Sequence, residues 1–120
     1  MKKLTVVIGA SENPDRYSNK AMLSLKNHGH DVIGLGIKEG EVAGIKILTT
    51  KPQLKDIDTV TLYVGPKNQV EWIEYIINLN PKRIIFNPGT ENEDFFNTAS
   101  KKDIECVEAC TLVMLSIGNF

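Results

Sequence analysis

The residues best suited to bind a ligand come directly after the first apolar segment, residues 4–8. Gly9-Ala10-Ser11 leaves this segment, and Arg16 and Ser18 stand just before a stretch with helical spacing. Glycine lets the backbone approach a phosphate closely, a serine hydroxyl can donate a hydrogen bond to it, and an arginine can donate two parallel hydrogen bonds to it. The pattern is typical of a phosphate loop at a helix N-terminus. A tight turn with a capping serine and a solvated arginine is equally compatible with it.

Two well-known nucleotide motifs are absent from this position. A dinucleotide-binding fingerprint requires G-x-G-x-x-G, and Glu12 and Pro14 stand where the later glycines would be. The acidic residue expected at the end of the second strand is also missing, because Glu39 comes too late. No G-x-x-x-x-G-K-[ST] occurs. The sequence therefore disfavours NAD, FAD and nucleoside triphosphate hydrolysis.

Blocks rich in Val and Ile alternate with longer amphipathic stretches, which is typical of βαβ units. We expect strands at residues 4–8, 32–35, 59–64, 83–86 and 104–107, with a brief edge pairing at 45–48. Helices are expected at 18–28, 68–78 and 91–102, with a final turn or helix at 112–115. The expected fold class is α/β: a single three-layer domain over residues 1–120, with an open, mostly parallel sheet of about five strands.

In such sheets ligands bind beyond the carboxyl ends of the strands. The loops that matter are therefore those that follow strands, at residues 9–17, 35–41, 65–68, 87–90 and 108–111. Lys38 lies in the second of these loops. It is a candidate cation beside the first loop, although a solvated surface lysine is the commoner outcome.

Composition limits the partners of the chain. Its 120 residues suit one domain, 42% are hydrophobic and 24% charged, and the formal net charge is −1. No global basic field draws it to nucleic acid, and no apolar run reaches the roughly 18 residues that span a bilayer. Without a signal-peptide pattern we expect a cytoplasmic protein with reduced thiols. Cys106 and Cys110 form no C-x-x-C motif, so we expect no metal site.

The first loop resembles the opening of the small stand-alone CoA-binding domain proteins, in Val7-Ile8-Gly9-Ala10-Ser11 and then Pro14-Asp15-Arg16 and Ser18. That family is similar to the CoA-binding domain of succinyl-CoA synthetase alpha subunits. The resemblance continues at Lys38, at Tyr63-Val64-Gly65-Pro66 and at Glu108-Ala109-Cys110. The sequence departs from the family at Gly36-Ile37, which is usually Asn-Pro, and at Ala109, which is usually arginine.

The resemblance implies a Rossmann-like domain that binds coenzyme A or an acyl-CoA. The diphosphate would bind the backbone of Gly9-Ala10-Ser11 and the Ser11 hydroxyl, with Arg16 and Lys38 as cations. Val64, Gly65 and Pro66 would form an apolar wall beside adenine or pantetheine. Asn87, Pro88 and Gly89 would line the far side.

The function expected is non-catalytic binding of coenzyme A, as a carrier, sensor or partner subunit. The chain has no length for the other domains of a ligase, and no nucleophile, base and orienting acid form a recognisable set. Two alternatives stay open. One is a small CoA-thioester enzyme using Cys110, and the other is a protein-interaction subunit, or a homo-oligomer, with a vestigial nucleotide pocket.

Overall fold

The structure, a computed structural model that describes residues 2–120, is built on a seven-stranded sheet of order β3-β4-β2-β1-β5-β6-β7. The strands are β1 Thr5–Ile8, β2 Val32–Leu35, β3 Gly40–Val42, β4 Ile45–Leu48, β5 Thr59–Leu62, β6 Arg83–Phe86 and β7 Glu105–Glu108. The helices are α1 Tyr17–Asn27, α2 Pro66–Gln69, α3 Ile73–Leu79, α4 Glu93–Ser100 and α5 Thr111–Ile117.

The central strands β1, β5 and β6 are buried at every position and pair in parallel. Such strands need apolar side chains on both faces, which the near-continuous Val and Ile runs provide. On one face Val6 and Ile8 pack with residues of α3 and α4. On the other face Val7 packs with Met22 and Leu25 of α1 and with Leu115 of α5. The predicted α/β class with an open, mostly parallel sheet is confirmed.

Two strands extend the sheet beyond the five expected. β4 pairs parallel to β2, as the brief edge pairing at 45–48 predicted, and β3 pairs antiparallel to β4. The β3–β4 turn is Ala43-Gly44, with φ of 51° and 86°. Two positive φ values suit a two-residue hairpin, but alanine in place of asparagine gives the sequence no hairpin signature there.

The continuous helix expected at residues 68–78 is wrong. The chain instead forms α2 and α3, separated by a tight turn in which the Trp72 amide donates to the Gln69 carbonyl at 2.8 Å. The turn buries Trp72 and leaves Val70 72% exposed. Pro66 begins α2 at its first turn, where proline is favourable. A periodicity of apolar residues does not reveal this break.

The position of β1 creates a switch point in the sheet. β1 pairs with β2 on one side and with β5 on the other, so the chain is wound outward from β1 in both directions. The loops after β1 and β5 therefore diverge at the carboxyl edge, which leaves a crevice between them. Within residues 2–120 no helix is long and apolar enough to cross a membrane.

Candidate functional site

A cleft of about 910 Å³ opens at this switch point, bounded by the loops after β1, β2, β5 and β6. Its volume lies in the range of small-molecule and cofactor sites. Ten of the twelve predicted site residues line it: Gly9, Ala10, Ser11, Arg16, Ser18, Lys38, Val64, Gly65, Pro88 and Gly89. Pro66 and Asn87 are not among the lining residues.

The first loop does not offer all of the backbone donors that the sequence predicts. The amides of Gly9 and Ala10 both donate to the Leu35 carbonyl, at 2.9 and 3.0 Å. They cannot at the same time donate to a phosphate, so this part of the predicted cradle is wrong. Gly9 is needed for a different reason, because its φ is +90° and a Cβ there would lie 3.0 Å from the Tyr63 carbonyl oxygen.

The free donors begin one residue further along the loop. Within residues 2–120 the amides of Ser11 and Glu12 have no hydrogen-bond acceptor. The Ser11 hydroxyl oxygen accepts from the Asn13 amide at 3.1 Å, which leaves the hydroxyl hydrogen free to donate. Asn19, a buried residue of α1, donates to the Ser11 carbonyl at 2.9 Å and fixes the loop against the helix.

The first turn of α1 is open toward the cleft. Arg16 is the N-cap residue, no side chain caps the helix, and the first turn holds no acidic residue. Ser18 lies inside the helix and is 4% exposed, so it is not the capping serine that the alternative of a tight turn requires. Uncapped first-turn amides carry partial positive charge and favour an anion. By contrast, α4 is capped by Asn92, whose side chain accepts from Phe95 N at 3.2 Å.

Asn87 has a structural role behind the cleft. It is 2% exposed, and its amide donates to Thr61 Oγ1 at 2.6 Å and to the Leu62 carbonyl at 2.8 Å. Its oxygen accepts from the Thr111 amide at 2.9 Å. These bonds join β5, the end of β6 and the start of α5. The position of Pro88 and Gly89 in the cleft wall therefore depends on Asn87, although Asn87 does not line it.

Gln69 supports the site, although no motif in the sequence marks it as a site residue. It is fully buried, and its amide donates to the carbonyls of Val64 at 2.9 Å and Thr90 at 2.7 Å. Its oxygen accepts from Asn92 Nδ2 at 2.9 Å. The bonds of Gln69 thus join the loop that follows β5 to the loop that follows β6. The sequence feature that could have identified Gln69 is its position as a polar residue beside the apolar stripe of the expected helix.

Tyr63 forms part of the cleft wall, and its hydroxyl lies in the protein interior. The hydroxyl oxygen is buried without a hydrogen-bond partner within residues 2–120. Burial, with a smaller contribution from the neighbouring Cys110 thiol, raises the pKa of Tyr63 to about 12. The phenol is therefore neutral at physiological pH. Cys110 is the N-cap residue of α5 and is not a lining residue of the cleft.

The cleft carries charges of both signs. Arg16 and Lys38 are its two cations, and both are exposed. Its four carboxylates are Glu12, Asp15, Glu39 and Glu71. Within residues 2–120 no group of three or more His, Cys, Asp or Glu side chains could hold a metal ion.

A family described as CoA binding domain matches residues 3–116 of the chain. The chain belongs to the CoA binding domain family. The match spans nearly the whole sequence, so membership supports coenzyme A as the class of ligand. None of the curated proteins matches the chain.

Solved structures of similar sequence share this fold. A crystal structure of an uncharacterized protein is 48% identical with a TM-score of 0.98, and the alignment covers 100% of this chain and 99% of that one. A hypothetical protein from Pyrococcus horikoshii is 30% identical, with a TM-score of 0.83 and coverage of 94% and 81%. A conserved hypothetical protein from Pyrococcus furiosus is 27% identical, with a TM-score of 0.80 and coverage of 94% and 98%.

The residues of the cleft fit coenzyme A, the class of ligand that family membership supports. Its diphosphate requires several hydrogen-bond donors and positive potential, and Ser11 and Glu12, whose amides have no acceptor within residues 2–120, line the cleft together with the uncapped start of α1. Arg16 stands at that helix start and would hold the phosphates. Val64, Gly65 and Pro88 supply the weakly polar wall that adenine or pantetheine needs.

Proposed function

We propose that this member of the CoA binding domain family binds coenzyme A or an acyl-CoA without transforming it, as a carrier, sensor or partner subunit. The ligand lies in the switch-point cleft, with its diphosphate on the loop after β1. We keep the cytoplasm as the compartment expected from the sequence. The absence of enzymatic activity is part of this proposal.

One observation carries the proposal: free backbone donors and an uncapped helix start meet at one end of the cleft. Ser11, Glu12 and the first-turn residues Tyr17 and Ser18 all line the cleft, and the bond from Asn19 to the Ser11 carbonyl holds the loop against the helix. Arg16 adds a guanidinium at the same helix start. Each charge-assisted hydrogen bond from such a group to a phosphate contributes about 1.5–3 kcal/mol.

The test is calorimetric titration of the protein with coenzyme A, dephospho-CoA, NAD and ATP. We expect coenzyme A and dephospho-CoA to bind more tightly than NAD or ATP. Arg16→Ala removes a charge-assisted contact, so it weakens coenzyme A binding by roughly tenfold or more. Lys102→Ala, at an exposed lysine outside the cleft lining, is the matched control and leaves the affinity unchanged. Binding of NAD or ATP without binding of coenzyme A would refute the proposal.

A second candidate function is an interaction subunit with a vestigial pocket. It is favoured by Val113 and Ile117, one turn apart on α5 and 52% and 66% exposed. This candidate predicts a partner or a stable oligomer, with no thermal shift on addition of coenzyme A. Calorimetry and analytical ultracentrifugation of one sample therefore separate the two functions.

A further inference from the structure

Glu12 crosses from the loop after β1 to the start of β3. Its Oε2 accepts from the Glu41 amide at 2.9 Å. The side chain lies against Gly40, where an added Cβ would overlap the carboxyl group of Glu12. Gly40 thus provides the space that the carboxylate occupies. The result is a fixed negative charge between the first loop and the segment that follows β2.

This fixed charge lies at the end of the cleft beyond β2. Lys38 and Glu39 line the same region, so two carboxylates stand there with one cation. In doubly wound sheets the ribose of a bound nucleotide lies beyond the second strand. A carboxylate there accepts hydrogen bonds from ribose hydroxyls, whereas a cation accommodates a ribose phosphate. The amide of Glu41, a donor that a phosphate could use, is already paired with Glu12.

Resting on the proposed function, we infer that, among pantetheine esters of adenosine diphosphate, the ribose end of the cleft selects those with free ribose hydroxyls over those with a ribose phosphate. Glu12 sets this preference. A ribose phosphate adds about −1.5 to −2 charges at pH 7 and meets the carboxylates of Glu12 and Glu39. A free 3′-hydroxyl instead donates to the oxygen of Glu12 that the Glu41 amide leaves unpaired. Both carboxylates are exposed, so the preference weakens as salt rises.

Coenzyme A and dephospho-CoA test this inference, because they differ only in the ribose 3′-phosphate. We expect the protein to bind dephospho-CoA roughly three- to tenfold more tightly at low salt, a ratio set by charges at the protein surface. Glu12→Gln keeps an acceptor for the Glu41 amide but removes the charge, so this ratio falls toward one. Gly40→Ala displaces the Glu12 side chain and lowers the ratio in the same direction.

Glu93→Gln, at an exposed carboxylate of α4 outside the cleft lining, is the matched control and leaves the ratio unchanged. Tighter binding of coenzyme A than of dephospho-CoA by the unmodified protein would overturn this inference and leave the proposed function intact. An unchanged ratio in Glu12→Gln would also overturn it. Failure of both ligands to bind refutes the proposed function, and the inference with it.

Discussion

Replacing Gln69 by leucine tests whether one buried amide holds the walls of the cleft in place. Leucine has a similar volume but neither donor nor acceptor. The change removes the bonds to the carbonyls of Val64 and Thr90 and the bond from Asn92. Each such bond contributes about 1 kcal/mol net, so the free energy of unfolding falls by roughly 3 kcal/mol. Thr90 is buried, and its unpaired carbonyl accounts for the largest share.

The assay is thermal unfolding followed by calorimetry. In a domain of this size a loss of 1 kcal/mol lowers Tm by about 4 °C, so Gln69→Leu should melt roughly 12 °C lower. Gln53→Leu is the matched control, because Gln53 is exposed and makes no side-chain hydrogen bond within residues 2–120. The same variant should bind coenzyme A roughly three- to tenfold more weakly, because the loosened loops must be ordered on binding. A Tm within about 3 °C of that of Gln53→Leu would refute the reasoning.

Three further predictions concern other residues around the cleft. Gly9→Ala should destabilise the protein by about 1–3 kcal/mol more than Gly29→Ala in chemical denaturation, since both glycines have positive φ but only Gly9 faces a close backbone atom. Burial raises the pKa of Tyr63 in the folded protein to about 12, above the unfolded value of about 10. The stability that the neutral phenol contributes is therefore fully present below the unfolded pKa and is lost as pH rises toward 12. Tyr63→Phe should flatten the pH dependence of the free energy of unfolding between those two values. Asn87→Asp should lower the free energy of unfolding by roughly 2 kcal/mol or more at pH 7, because a carboxylate there cannot donate to the Leu62 carbonyl. Equal losses at the two glycines, an unchanged alkaline slope in Tyr63→Phe, or near-native stability of Asn87→Asp would each contradict the corresponding argument.

The central strands of the sheet could be predicted because their residue types alone are typical of buried strands. β1 and β5 are short runs of β-branched and apolar residues, each is buried throughout, and the loop that follows each strand contains a glycine, Gly9 or Gly65. The edge hairpin of β3 and β4 could not be predicted in full. β3 is only Gly40–Val42, and Val42 is its one buried residue, so β3 lacks the apolar run that marks the central strands. The break between α2 and α3 could not be predicted, because the turn that ends at Trp72 leaves the periodicity of apolar residues unchanged.

The location of the candidate site follows from topology, whereas its individual donors depend on tertiary pairing. Parallel strands bring the loops after β1, β2 and β5 to one edge, which is why Ser11, Lys38 and Val64 line one cleft. Whether an amide is free depends on which carbonyl lies opposite it, and local sequence does not contain this information. Gln69 illustrates the same limit, because its three partners are brought to it only by the folded chain.

The pairing of the Gly9 and Ala10 amides with the Leu35 carbonyl changes where an anion can lie. A diphosphate held by those two amides would lie directly on the end of β1. With both amides paired, the nearest free donors are those of Ser11, Glu12 and the first turn of α1. We therefore expect the anion of the proposed ligand to lie toward the helix start, where Arg16 stands. This displacement makes the guanidinium, rather than the glycine backbone, the group whose loss should most weaken binding, since its contact with phosphate is charge-assisted.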